Sequence, residues 1–309
     1  MSHSYHEIPF GSHPISRLSH DSGSYVDVLP SYGSCLHGLT LMKAGNPHAV
    51  LKTSEDYNVF DSELRPSFNG TFLAPFPNRT ANGQYTWKGK SYQFDHNDFG
   101  RPNALHGFLF DRPFEIEENK ENPDTLRLSY DYTGDLQAYP FPFLTVNTFK
   151  LSAQSLMVTT SVRNTGSASI PFGCGWHPYF QLSGPVNDLS LTIPSQSYYE
   201  VDNMGIPIGK VPFKSFQEAA SIGSTAFDTC FITSGDHPKA TIADHKNDIA
   251  LEIQQTRPYG YMQFYTPDTR DSIAIEPMSC APDAFNNKDG LRILDPGESD
   301  SWIFSITMR

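Results

Sequence analysis

Apolar and polar residues alternate with a period of two in several separate stretches of the chain, and that pattern restricts the fold more than any other feature. In TLRLSYDY (125–132), Leu126, Leu128, Tyr130 and Tyr132 share one face, while Arg127, Ser129 and Asp131 share the other, as in a half-buried strand. The pattern returns in SLMVTTSVRNTG (155–166), in IALEIQ (249–254) and in WIFSITMR at the C-terminus. Asn82-Gly83, Thr133-Gly134, Thr165-Gly166 and Pro296-Gly297 punctuate these runs as turns. A strand with one apolar face has to bury it, and a second sheet is the simplest cover. No window carries a helical stripe; KSFQEAASIGST (214–225) has room for a turn or two of helix at most. The 24 prolines are spread among the connections instead of marking a tether. The expected architecture is therefore all-β, one large antiparallel β-sandwich domain spanning residues 1–309.

Charge narrows the partners. The formal net charge is -12, and no lysine or arginine run breaks the acidic balance, which argues against nucleic acid or an anionic membrane surface and favours an uncharged or cationic small molecule. No apolar run approaches the roughly 20 residues of a membrane span, and MSHSYHEIPFGSHPIS lacks the basic start and apolar core of a signal peptide. The expected location is the cytoplasm. Cys35, Cys174, Cys230 and Cys280 are too scattered for a metal cluster or a disulfide framework and read as reduced, buried thiols. Asn78-Arg79-Thr80 fits the glycosylation pattern, which carries little weight in a chain read as not exported. Nothing in the composition dictates an oligomeric state.

Several segments hold residue types suited to chemistry. In FGCGWHPYFQL (172–182), Pro178 biases His177 towards an extended backbone, and Trp176, Tyr179 and Phe180 surround it. Such an imidazole is either packed core or catalytic. In DSIAIEPMSCAPDAF (271–285), Glu276 is either a carboxylate at a solvated strand edge or a base held in a cavity. FGRPNALHGF (99–108) offers Arg101, Asn103 and His106 in a loop, where a surface role is the plainer reading. Arg79 in LAPFPNRTANG has a solvated charge as its plain reading, and Asp228 in AFDTCF a strand-end or turn acid. Zinc hydrolysis lacks its ligand spacing, and no GxSxG elbow, P-loop or dinucleotide fingerprint is present. Asp228 with Glu276 leaves a glycosidase-like carboxylate pair as a minor alternative.

Taken in order, Asn78-Arg79, LHG (105–107), WHPYF (176–180), FDTCF (227–231), QFYT (263–266) and IEP with PDAFN (275–286) resemble the aldose 1-epimerase (galactose mutarotase) family from about residue 70 to the C-terminus. The resemblance implies a β-supersandwich and a reaction without cofactor or metal that interconverts the α and β anomers of a free hexose such as glucose or galactose. By motif, His177 takes the place of the general acid and Glu276 that of the general base; Arg79, His106 and Asp228 match sugar-binding positions, with Asn78 and Gln263 beside them. The implied charge states are an ionised Glu276 and a protonated His177. Phe108 stands where the family often has a second glycine, and the segment before Gln263 (257–262) is bulkier than usual; both are expected to reshape the sugar pocket. The other readings compatible with these motifs are a non-catalytic carbohydrate-binding sandwich and a mutarotase for a modified or phosphorylated hexose.

Overall fold

The computed structural model describes residues 2–117, 122–256 and 258–309. Among the described residues, most strands fall into two large sheets of nine and eight strands, with a five-stranded antiparallel sheet formed by the N-terminal segment His3–Ala49. The nine-stranded sheet is built around Thr125–Tyr132, Phe143–Leu151, Ser155–Asn164, Ser299–Met308 and Ile249–Gln255, paired antiparallel in that order. All of these except Phe143–Leu151 are the alternating stretches read from the sequence. Their inward residues, among them Leu128, Phe143, Val158 and Trp302, are buried, whereas the neighbours between them are half-buried or exposed, as expected of a sheet with one solvated face.

The eight-stranded sheet runs Pro207–Pro212, Ser195–Val201, Asp228–Thr233, Tyr261–Tyr265, Ile273–Met278, Gly175–Trp176 and Phe72–Leu73, with Tyr179–Phe180 also paired to Ile273–Met278. Met262, Phe264, Ile273 and Ile275 from this sheet join the core formed by the nine-stranded one. Trp176 ties the two layers together. Its ring packs against Phe149 and Phe304, and its Nε1 donates to Thr160 Oγ1 at 3.1 Å. The segment 214–225 forms no helix; Ala220–Ser221 instead pairs at the edge of the nine-stranded sheet, where burial of Ile222 fixes it. All four cysteines are free and buried.

Candidate active site

Register brings three polar side chains together on the face of the eight-stranded sheet turned away from the core. Gln263 lies directly opposite Glu276, and Asp228 lies opposite Tyr265, one strand further out. Because successive side chains in a strand alternate, Gln263 and Tyr265 project to the same side, and the cross-strand neighbours meet there. Gln263 Nε2 donates to Asp228 Oδ1 at 2.8 Å, and its Oε1 accepts from Asn78 Nδ2 at 3.4 Å. Glu276 is only 2% exposed. Its strand is buried along its whole length, so the solvated-edge alternative does not apply.

His177 reaches the same place from the loop between Gly175–Trp176 and Tyr179–Phe180. Its backbone is held on both sides: its N–H donates to Thr71 O at 3.1 Å, and its carbonyl accepts from Gly70 N at 2.9 Å. The ring stacks on Tyr179 with centroids 5.0 Å apart and meets His106 edge-on at 5.3 Å. Its Nε2 stands 3.4 Å from Glu276 Oε1. His177 Nδ1 and Glu276 Oε2 are buried without a protein partner among the described residues, which leaves each with hydrogen-bonding capacity to spend.

The opposite wall comes from two short strands, Arg79–Thr80 and Ala104–Leu105, paired antiparallel. Asn78 and His106 both have positive φ, 58° and 65°, and they lock each other. His106 N donates to Asn78 O at 2.8 Å, and Asn78 N donates to His106 Nδ1 at 3.1 Å. With Nδ1 engaged as an acceptor, the neutral imidazole carries its proton on Nε2 and is a donor there. Arg79 donates from Nε to Asp98 Oδ2 at 2.8 Å and from Nη2 to Oδ1 at 3.3 Å, and Asp98 is 3% exposed. Asn103 in turn donates to Asp98 Oδ2 at 2.9 Å and to Met204 O at 2.8 Å. Asn103 is therefore a latch behind the arginine, away from the cavity, and Arg101 lies at its edge.

These walls enclose a cavity of about 530 Å³, lined on its inner side by His177, Glu276, His106, Gln263, Asn78 and Arg79. The seven residues singled out from sequence as catalytic or binding all line it, Asp228 included. Phe68, Asp98, Tyr179 and Tyr265 line it as well; of these, Tyr179 in WHPYF and Tyr265 in QFYT sat inside recognised sequence motifs, and Phe68 and Asp98 did not. Two expectations need correction. Phe108 does not line the cavity: it is buried and packs on Tyr132 at 4.9 Å. Gly107, at φ +71°, turns the chain where a Cβ would lie 2.1 Å from Ala74 O, and so sends the next side chain into the core. Nor does the bulk before Gln263 reach the cavity. Tyr259 is fully buried in the core, Met262 faces it, and Tyr261 packs against Tyr199; Arg257 lies outside the described residues. Asn78 is buried, which disposes of the glycosylation pattern.

Burial governs the charges at the cavity floor. It lowers His177 to about 4 and holds His106 well below the usual imidazole range, helped there by the neighbouring His177 and Arg79. It raises Glu276 well above the usual carboxylate range; Asp228 adds to the rise and Arg79 opposes it. Desolvation penalises the charged form of each group, so burial works against both an ionised Glu276 and a protonated His177, while their 3.4 Å approach works for the pair of charges.

Comparison with known proteins bears on the family and the fold. The family model described as aldose 1-epimerase matches residues 15–307. The chain is 30% identical over 294 residues to a protein of Escherichia coli K12 named "Uncharacterized protein YihR", with 92% of this chain and 91% of the relative covered. It is 28% identical over 293 residues to galactose mutarotase of Homo sapiens, covering 86% and 81%. Among solved structures, a galactose mutarotase-like protein from Clostridium acetobutylicum superposes with a TM-score of 0.87 at 19% identity, over 100% of this chain and 99% of that one. Galactose 1-epimerase from Lactobacillus acidophilus gives 0.81 at 17% identity over the same shares. Both share the fold.

Proposed function

The chain belongs to the aldose 1-epimerase family, and from that premise we propose that it is a mutarotase for a free aldohexose, working by acid–base chemistry of its own side chains. The observation that carries this reading is the pair His177 and Glu276, 3.4 Å apart and buried on the floor of a polar cavity. In a cyclic hemiacetal the C1 hydroxyl must lose a proton while the ring oxygen gains one, and a single pair that shares one proton supplies both transfers. Burial alone favours the neutral form of both groups. A bound sugar that donates its C1 hydroxyl to Glu276 and accepts at the ring oxygen from His177 favours the carboxylate–imidazolium arrangement instead, with no change in proton count. Glu276 then takes the hydroxyl proton, His177 protonates the ring oxygen, and the C1–O5 bond opens to the aldehyde. Rotation about C1–C2 and reclosure give the other anomer. Each positioned proton transfer contributes roughly 10²–10⁴-fold.

The remaining polar groups hold the hydroxyls in this reading. His106 donates from Nε2, Asp228 accepts at its second oxygen, and Arg79 offers the donors that Asp98 leaves free. Gln263 and Asn78 fix Asp228 and the wall in place through their bonds to each other. Freshly dissolved α-glucose and α-galactose, followed by polarimetry or by proton NMR exchange, test the proposal. Acceleration of anomer exchange in either is expected. Saturable binding of both sugars without any acceleration would leave a carbohydrate-binding protein in place of an enzyme.

A further inference from the structure

The hairpin at the edge of the eight-stranded sheet, Ser195–Val201 paired with Pro207–Pro212, turns over at Asp202–Ile206. Asp202 organises the turn. Its N–H donates to Ile206 O at 2.9 Å, its carbonyl accepts from Gly205 N at 3.0 Å, and its Oδ1 accepts from Met204 N and Ile206 N, each at 2.9 Å. The tip is not free. Met204 O accepts from the buried Asn103 Nδ2 at 2.8 Å, and Gly205 is buried against the Arg79 side chain. A Cβ on Gly205 would stand 2.8 Å from Arg79 Nε, 2.9 Å from Cδ and 3.0 Å from Cζ. The atom crowded most, Nε, is the one that donates to Asp98 Oδ2 at 2.8 Å.

We propose that this hairpin tip is a positioning element for Arg79, with Gly205 as the positioning residue, although it lies in VDNMGIP, outside every motif of the sequence. At Gly107 and Gly70 the obstacle to a side chain is backbone, Ala74 O and Leu36 O, so a substitution there has to move the fold. At Gly205 the obstacle is the side chain of an arginine that lines the cavity, so an added methyl displaces the guanidinium instead. A guanidinium carries its donors in a rigid planar fork. Bare backbone at Gly205 lets Nε and Nη2 settle on Asp98 and aims the remaining donors at a sugar hydroxyl; a shift at Nε carries the whole fork with it. Misplacing a ligand-holding group by about 1 Å can cost about 10²-fold in rate.

The inference rests on the mutarotase reading for what Arg79 binds, and the experiment separates the two. Gly205→Ala is compared with Gly297→Ala, a turn glycine with the same φ of +77° and nothing within 4 Å of its would-be Cβ. Both variants carry the strain of a left-handed alanine, and only the first crowds Arg79. Anomer exchange of glucose and galactose is measured by NMR for each variant, alone and combined with Arg79→Ala. The Arg79 Nε–H resonance, assigned by its loss in Arg79→Ala, is followed without sugar. Gly205→Ala should lower kcat/KM about tenfold or more, add less than about twofold once Arg79 is alanine, and shift the Nε–H resonance; Gly297→Ala should do none of these. Equal losses in the two glycine variants, or a loss from Gly205→Ala that persists in full without Arg79, overturn the proposal. If Gly205→Ala does not fold, Asp202→Ala loosens the turn without crowding anything. Faster solvent exchange of the Arg79 Nε–H and a kcat/KM lowered about threefold, only while Arg79 is present, are then expected, and an unchanged resonance and rate overturn the proposal. If wild type accelerates neither sugar, the mutarotase reading has failed and the resonance decides the positioning alone. A shift in Gly205→Ala without one in Gly297→Ala supports it, and any other pattern overturns it.

Discussion

The nine-stranded and the eight-stranded sheets share one core and do different work. The first is long and regular: Phe143–Leu151 pairs with Ser155–Asn164 over nine consecutive positions without a register shift. Its inner face carries most of the apolar core together with the buried Thr145, Asn147, Thr160 and Asn164, and it contributes no residue to the cavity lining. The second has shorter strands, register shifts where Ser195–Val201 meets its neighbours, and polar side chains buried on its outer face. Two of those atoms, His177 Nδ1 and Glu276 Oε2, lack partners among the described residues. A buried polar group left unsatisfied costs about 1–3 kcal/mol. Orphaned buried atoms occur in the first sheet too, at Asn147 Nδ2, Gln255 Oε1 and Trp302 Nε1; the contrast teaches that only in the second sheet do such atoms belong to residues lining the cavity, where a ligand can satisfy them.

The largest effect that would break this division lies in the regular sheet. Phe143 is fully buried against Tyr132 and Phe172. Phe143→Ala should cost about 3–5 kcal/mol of stability, read as a lower urea midpoint, with kcat of the folded fraction within about twofold of wild type. Phe143→Leu gives the smaller version if the first variant does not fold. A large fall in kcat at unchanged Cm would mean that the two sheets do not divide the work. Substitutions in the pair should show the converse. Glu276→Gln and His177→Asn should each lower kcat by roughly 10²-fold or more with little loss of stability, and the double variant should lose far less than the product. The kcat/KM profile of wild type should be bell-shaped in pH, because only the singly protonated pair is competent. Its limbs belong to the pair as a unit: the acid limb reports a second proton entering the pair, and the alkaline limb reports loss of its last one. If His177→Asn left kcat intact and weakened sugar binding, His106 would become the better acid.

The same contrast decides what could be read from the amino-acid order. Thr125–Tyr132 is legible to the residue because only one of its faces is buried, so hydrophobicity and period coincide. IAIEPM (273–278) is buried on both faces, which hides the alternation and leaves Glu276 ambiguous until pairing is known. Register places Gln263 across from Glu276 and Asp228 across from Tyr265, diagonal to Gln263 and within its hydrogen-bonding reach; nothing local to the three residues encodes it. Family motifs bridged that gap for residues inside them and failed for those outside. Asp98 lies in HNDFGR and reads as one more solvated turn acid, although it orients Arg79 from 19 positions downstream. Phe108 failed in the other direction. Its position next to His106-Gly107 suggested the pocket, while the positive φ of Gly107 aims it at the core.

The smallest effect tests the charge state of the pair directly. Glu276 has a native pKa raised by burial, so the native state keeps a proton that the unfolded chain releases above about pH 4.3. Native protein then binds more protons than unfolded protein, and its stability falls as pH rises from that point towards the raised pKa, by about 1.4 kcal/mol per pH unit at most. Gln at this position cannot titrate. The stability of Glu276→Gln relative to wild type should therefore increase with pH across that window. His177 has the opposite sign. Its native pKa is lowered to about 4, and the unfolded value is about 6.5, so wild type loses stability as pH falls between the two. The stability of His177→Asn relative to wild type should increase as pH falls through the same range. Urea unfolding of the three proteins from pH 4.5 to pH 8 measures both slopes. Slopes of the reverse sign would mean that the free protein already holds Glu276 as a carboxylate and His177 as an imidazolium, with their mutual attraction outweighing burial, and the eight-stranded sheet would then carry an ion pair where burial alone favours a neutral one.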